Sequence, residues 1–288
     1  MNIHAASRIA FIGGGNMARA LIGGLLRQGL PAQQLCVGEP LESLREALER
    51  ELGVATTADN EAAIRDTALV VLAVKPQVAA GVLQELCGAL LAARPVLLSI
   101  VAGLRLAQLS SACAGALSIV RAMPNRPALI GAGITGLYAP PAVSATQRSI
   151  AERVATAAGR TVWLRTEAEL DVVTALSGSG PAYFFLLAEQ LAQAGESLGL
   201  ARETALLLAS ETLFGAGALA HDASCSLAQQ RDAVSSKGGT TEAALRVFKS
   251  GGFEPLIAAA VAAAAARSAE LAEALAAELE PRPEPSRS

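Results

Sequence analysis

The feature that most constrains the fold is a change of periodicity part-way along the chain. Up to Trp163, short apolar runs with strand character alternate with stretches of helical spacing, and beyond it no convincing strand signal returns. Strand-like runs cover residues 8–12 (RIAFI), 34–37, 68–74 (ALVVLAV), 96–101 (VLLSIV), 118–121, 134–138 and 161–164. Between them lie helical stretches at 16–28, at Leu41, Leu44, Leu48 and Leu52, and at 77–92, and Ser144 with Gln147 forms a capping box whose helix Gly159 is expected to end. Continuous apolar runs such as 68–74 are what a strand covered on both faces requires. Strands alternating with helices over ~160 residues predict an α/β fold with a doubly wound, mostly parallel sheet. After it come helices at about 183–198, 202–220 and 255–279, with a capping box at Ser226 and Gln229. The expected organisation is an α/β domain over 1–165, a helical domain over 166–280 and a disordered tail over 281–288 (PRPEPSRS).

The helices after Trp163 are apolar on most of their circumference, in a chain that is 52% hydrophobic but only 3% aromatic. Helices of that kind need more cover than their own domain offers, so an intimate homodimer is expected. The uncharged run 256–266 is shorter than the ~20 residues that cross a bilayer, and no basic-then-apolar leader opens the chain. A cytoplasmic protein without membrane contact is therefore expected. The net charge of −3 leaves no electrostatic footprint for nucleic acid. Cys36, Cys87, Cys113 and Cys225 are scattered and form no CxxC pair, which reads as free thiols in a reducing compartment. Only His4 and His221 exist; the first sits in an expected N-terminal tail and the second at an expected helix end beside Asp222. A Ser-His-Asp triad or a histidine metal site is not expected on that count, and no metal is expected.

The chemistry begins at IGGGNMA. Gly13, Gly15 and Ala18 follow a strand and open a helix, the arrangement that brings backbone N–H groups and a positive helix end to a pyrophosphate. Glu39 ends the second strand at the distance where an acid can accept from the ribose 2′-OH and repel a 2′-phosphate. No Arg follows at once, and Arg45 lies a turn or more along the next helix, so this residue alone leans towards NADH; Glu39 facing solvent is the other possibility. Lys75 in AVKPQ and Asn125 in RAMPN stand at carboxyl ends of strands, where ligands sit in open α/β sheets. Asn125 could bond ribose or substrate, or make an ordinary turn.

Two loops fall in the helical half. The run 177–181 (SGSGP) is expected to break two helices with small residues, and 235–241 (SSKGGTT) leads into another helix. Ser, Gly and Thr at a helix N-terminus expose N–H groups and hydroxyls that suit an anion such as a substrate carboxylate, although a plain cap with glycines reads the same way.

IGGGNMA, AVKPQ, RAMPN, SGSGPAY and SSKGGTT occur in the order and spacing of pyrroline-5-carboxylate reductases, and the chain resembles that family from about Arg8 to Leu279. The resemblance implies a Rossmann-type domain, a helical dimerisation domain and decamers built from dimers. It implies that NADPH or NADH lies along Gly13, Gly15, Asn16, Met17, Glu39, Asn60, Ala73, Val74, Lys75, Pro76, Val101, Ala102 and Gly103. It also implies that Ser236, Gly239, Thr240 and Thr241 hold the imino acid, with Glu167 and Thr174 lining the pocket. Three departures stand out: Lys237 where the family has Pro, Arg126 where it has Thr, and Glu39 in place of a small polar residue.

The expected reaction suits a chain so poor in histidine. The ring nitrogen of 1-pyrroline-5-carboxylate takes its proton from water, so hydride attack on the adjacent carbon needs orientation more than an acid. Reduction of a ketone would need a proton donor for the developing alkoxide. Thr241 is expected to bond the substrate nitrogen through its hydroxyl. The competing readings are a β-hydroxyacid dehydrogenase or broad imine reductase, whose helical-half lysine would have to be Lys237 or Lys249, and a protein that binds NAD(P)H without turnover.

Overall fold

The structure, a computed structural model, describes residues 8–113, 115, 117–221 and 224–279. His4, Asp222 and the expected tail at 281–288 lie outside them. The chain runs β1 (Arg8–Ile12), α1 (Asn16–Arg27), β2 (Leu35–Gly38), α2 (Glu42–Leu52), β3 (Ala55–Thr57), α3 (Asn60–Ala63), β4 (Thr67–Leu72), α4 (Pro76–Ala93), β5 (Val96–Ser99), α5 (Leu106–Ser111), β6 (Ser118–Met123), β7 (Gly133–Tyr138), α6 (Ala145–Thr156) and β8 (Gly159–Trp163). From there it is helical: α7 (Glu169–Val173), α8 (Gly180–Ser197), α9 (Arg202–His221), α10 (Leu227–Ala233), α11 (Thr240–Ser250) and α12 (Phe253–Leu279).

The strands form one sheet in the order β3-β2-β1-β4-β5-β6-β7-β8. All neighbours pair in parallel except β6 with β7, which run antiparallel. The winding direction reverses between β1 and β4, and the crevice at the carboxyl ends of those two strands is where a doubly wound sheet receives a ligand. Gly13 follows β1 and Ala73 follows β4, so the quoted motifs sit at that crevice.

Side-chain alternation explains why the sheet is buried on both faces. Ile9, Phe11, Val37, Leu69, Val71, Leu98 and Val120 point to one face, under Leu21, Leu25, Leu48 and Val154 of α1, α2 and α6. Ala10, Ile12, Cys36, Val70, Leu72, Leu97 and Ile119 point to the other, under Ala63, Leu83, Leu90 and Leu109 of α3, α4 and α5. Each fully buried Leu, Ile or Val adds roughly 1.5–3 kcal/mol, which outweighs the modest local propensities of such short strands. Gly24 lets α1 approach α6, since a Cβ there would lie 1.9 Å from the Ala157 carbonyl oxygen.

The chain divides into two compact units. One comprises the residues up to Gly178 together with those from Ala264 onward, and the other is Ser179–Ala263. In the second unit α8 and α9 pack through Ala192, Ala205 and Ala209, while Phe184, Phe185, Leu207 and Phe214 remain exposed.

Several expectations need correction. Strands 68–74 and 96–101 stop earlier, at Leu72 and Ser99, where the chain turns into the site loops. Gly159 opens β8 rather than ending α6, in a positive-φ conformation against the Gly133 backbone. SGSGP does not break the helical run: a π-helical turn, Thr174–Gly178, carries α7 almost directly into α8. The shortness of the uncharged run 256–266 does not rule out spanning length in the helices. By length and composition Pro76–Ala93, Glu169–Ser197 and Phe253–Ala277 could each cross a bilayer, because a helix tolerates scattered charges that a count of uncharged residues does not.

Candidate active site

The glycine turn is built by contacts that only glycine allows. Gly13 has φ +98°, and a Cβ there would lie 2.7 Å from the Ala73 carbonyl oxygen; its N–H donates to the Gly38 carbonyl at 2.8 Å. A Cβ on Gly14 would meet Leu48 at 2.7 Å. Gly15 differs, since a Cβ there would meet nothing within 4 Å. It caps α1 without a side-chain hydrogen bond, and Gly15 and Asn16 are exposed. The turn therefore closes against the sheet at Gly13 and opens outward at the helix start, where unpaired N–H groups and the helix dipole attract an anion.

Glu39 neither faces solvent nor stands free at the strand end. It is 7% exposed, one carboxylate oxygen accepts from the Gly14 N–H at 2.8 Å, and the other accepts from the Leu41 N–H at 3.0 Å. Arg45 is nearer than its place on α2 suggests: its Nη1 donates to the carbonyls of Glu39 at 2.9 Å and Pro40 at 2.8 Å. Beside them Asn60 begins α3 with a buried Oδ1 that has no hydrogen-bond partner, packed so closely on Gly38 that a Cβ would lie 2.3 Å away. An open helix start, a glycine cradle and an orphaned buried acceptor fit a dinucleotide laid across β1, β2 and β4.

Further along the crevice, the Ala73 N–H donates to Ile12, and Lys75 is the exposed cap of α4 with Pro76 at its first position. Val101 is buried, and Gly103 turns with φ +76°. Asn125 is 8% exposed and already occupied: its Nδ2 donates to the Ser177 carbonyl at 3.1 Å, and its Oδ1 accepts from the Ile134 N–H at 2.9 Å. It ties β7 to the π-helical turn, a use that neither reading of its motif contained. Glu167 accepts from Arg121 Nη1 and from the Leu106 N–H, both at 2.7 Å, so it holds the loop that follows Gly103. Arg121, the buried residue that opens the RAMPN motif, takes part here although the sequence alone gives it no role. Asp171, four residues after Glu167, accepts from Ser268 of α12 at 2.8 Å and pairs with Arg105 at 3.4 Å. Thr174 donates its hydroxyl to the Leu170 carbonyl at 2.7 Å.

In the other unit, Gly239 caps α11 without a side-chain bond, leaving Thr240 and Thr241 in the first turn. The loop is partly self-satisfied: the Glu242 carboxylate accepts from the Gly238 N–H, and the Gly239 N–H donates to the Ser236 carbonyl. Ser236 and Lys237 face a cavity of about 660 Å³ that Arg231, Phe248 and Lys249 also line. Lys237 thus adds a cation to an open, solvent-facing cleft.

A family model described as "Pyrroline-5-carboxylate reductase dimerisation" matches residues 167–271, and one described as "NADP oxidoreductase coenzyme F420-dependent" matches residues 8–103. A pyrroline-5-carboxylate reductase of Pseudomonas aeruginosa is 46% identical over 268 residues, covering 93% of this chain and 98% of that protein. One from Haemophilus influenzae is 43% identical over 267 residues, covering 91% and 97%. Among solved structures, a pyrroline-5-carboxylate reductase from Coxiella burnetii superposes with a TM-score of 0.89 at 40% identity, over 92% of this chain and 98% of that one. The Plasmodium falciparum pyrroline carboxylate reductase with NADP bound gives 0.78 at 28% identity, over 92% and 98%. Similarity at these levels over nearly the whole length, with a Rossmann-type sheet and a helical dimerisation domain, places the chain in the pyrroline-5-carboxylate reductase family.

Proposed function

We infer that the chain reduces 1-pyrroline-5-carboxylate to L-proline, as the last step of proline biosynthesis, with NADPH or NADH as the reductant. The nicotinamide, when bound, supplies the hydride. The observation that carries the reading on this chain's own residues is the start of α11, where a glycine cap leaves a hydroxyl-rich first turn open to an anion. The Ser236 hydroxyl and the N–H groups of Thr240 and Thr241, which follow the Gly239 cap, hold the substrate carboxylate at that positive helix end. Thr241 directs its hydroxyl to the ring nitrogen, which arrives already protonated, so no side-chain acid is needed. Within the first unit Glu167 holds the loop after Gly103 through its bonds to Arg121 and Leu106, and Thr174 is tied to the Leu170 carbonyl.

The dinucleotide lies along Gly13, Gly15, Asn16, Met17, Glu39, Asn60, the Ala73 to Pro76 turn and the Val101 to Gly103 loop, with Asn125 acting as a strut rather than a ligand. The functional division at 165/166 accords with where the dimerisation model begins. That domain supports a homo-oligomer, and the exposed Phe184, Phe185 and Phe214 supply apolar area for a dimer; decamers of such dimers in the cytoplasm complete the proposal.

The test is NADPH and NADH oxidation with 1-pyrroline-5-carboxylate as acceptor, set beside 3-hydroxy acids run in the oxidative direction. Turnover confined to the imino acid is expected. Comparable turnover of the hydroxy acids, or cofactor binding without turnover, would overturn it.

A further inference from the structure

We propose that Arg45, and not Glu39, decides which dinucleotide the chain accepts, and that it accepts the 2′-phosphorylated one. The proposal rests on the reading of the glycine turn as a dinucleotide site. In such folds the end of the second strand meets the adenosine ribose, and an acid there selects NAD while an Arg nearby accommodates a 2′-phosphate. Both residue types are present here, so their geometry has to decide between them.

Glu39 is turned inward. It is 7% exposed, and its two oxygens accept from the N–H groups of Gly14 and Leu41 at 2.8 and 3.0 Å. The first bond ties the end of β2 to the glycine turn across 25 residues of sequence and the second holds the local turn to Leu41, which is the work of a brace. A carboxylate held by fixed N–H donors has much of its charge compensated where it sits, and it cannot swing out to meet a ribose without leaving the Gly14 N–H unpaired in a buried place.

Arg45 is placed the other way round. Nη1 donates to the carbonyls of Glu39 and Pro40 at 2.9 and 2.8 Å, which pins the guanidinium against the strand end. A guanidinium has five N–H donors in a planar fork. With the two of Nη1 engaged, those of Nε and Nη2 remain to meet a phosphate in the bidentate way that suits Arg better than Lys. The carboxylates nearest in sequence on α2, Glu42 and Glu46, are exposed, so water and salt screen them.

Calorimetric titration of the apoprotein with NADP⁺ and NAD⁺, and with 2′,5′-ADP and 5′-AMP as fragments that differ in the 2′-phosphate, tests this without relying on turnover. The wild type is expected to bind NADP⁺ at least tenfold more tightly than NAD⁺. Arg45→Ala should bring the ratio within twofold by weakening NADP⁺ alone, with the same loss for 2′,5′-ADP. If removing the side chain loosens the strand end, Arg45→Gln decides instead, since it keeps a donor for the two carbonyls and loses the charge. Glu39→Gln should weaken both dinucleotides together and leave their ratio unmoved. Tighter NAD⁺ binding by the wild type, an unmoved ratio in both Arg45 variants, or a tenfold swing towards NADP⁺ in Glu39→Gln would overturn the proposal. Failure of both dinucleotides to bind would instead sink the cofactor reading, and this proposal with it.

Discussion

At the scale of single residues, several positions are held by one contact that a small change removes. Gly24 is the sharpest, because an added methyl group would sit 1.9 Å from the Ala157 carbonyl oxygen in the seam between α1 and α6. Gly24→Ala is expected to cost about 1–3 kcal/mol by forcing those helices apart, a fall of several degrees in thermal unfolding; an unchanged midpoint would mean the seam is looser than it looks. Asn125→Ala would leave the Ser177 carbonyl and the Ile134 N–H without their partner. A loss of roughly 1–3 kcal/mol is expected for a buried group left unpaired, with KM for the dinucleotide little changed because the side chain is a strut. The thiols should separate by environment. Cys225 is exposed, whereas burial raises the Cys36 thiol and, together with the adjacent Cys87, pushes Cys113 up to about 12. Because the fold favours the protonated Cys113, its contribution is intact below about pH 9 and is lost as pH rises towards 12. A thiol reagent at pH 8 should therefore label Cys225 at once and Cys36 and Cys113 only on unfolding.

At the scale of elements, what could be read in advance was what depends on local pattern. The central strands β1, β4 and β5 announced themselves because burial on both faces demands uninterrupted apolar runs, and α6 and α10 because their capping boxes are four residues long. β3 did not, since its three residues are only partly covered and carry no pattern. The π-helical turn escaped because SGSGP looks like a break. The hydroxyls of Thr174 and Ser177 bond back to Leu170 and Val173, and Asn125 holds the Ser177 carbonyl, so small residues there keep a widened helix together. The direction of Glu39 was illegible for a different reason: it is set by an N–H 25 residues away. Of the elements, α11 carries the sharpest functional expectation. Thr241→Ala should lower kcat/KM for the imino acid by on the order of tenfold or more, as for the loss of a hydrogen bond to a charged group, while leaving dinucleotide affinity unaltered in a direct titration. Unchanged kcat/KM would remove Thr241 from the site.

At the scale of the whole molecule, the second unit does not bury its own apolar surface. Phe184, Phe185 and Phe214 are each more than half exposed on α8 and α9, and a family model for dimerisation covers that stretch. Light scattering should find no monomer at micromolar concentration, and Phe214→Glu together with Phe185→Glu should shift the mass downward; an unshifted mass would place the interface elsewhere. Passage of a hydride from the nicotinamide to the carbon of a C=N bond is open to one direct measurement. The enzyme is given 1-pyrroline-5-carboxylate and a reduced dinucleotide deuterated at the transferable C4 position, and the product is analysed by mass spectrometry and NMR. L-Proline carrying a single deuterium at C5 is the expected product. Proline without deuterium, or label recovered only in the dinucleotide, would contradict it.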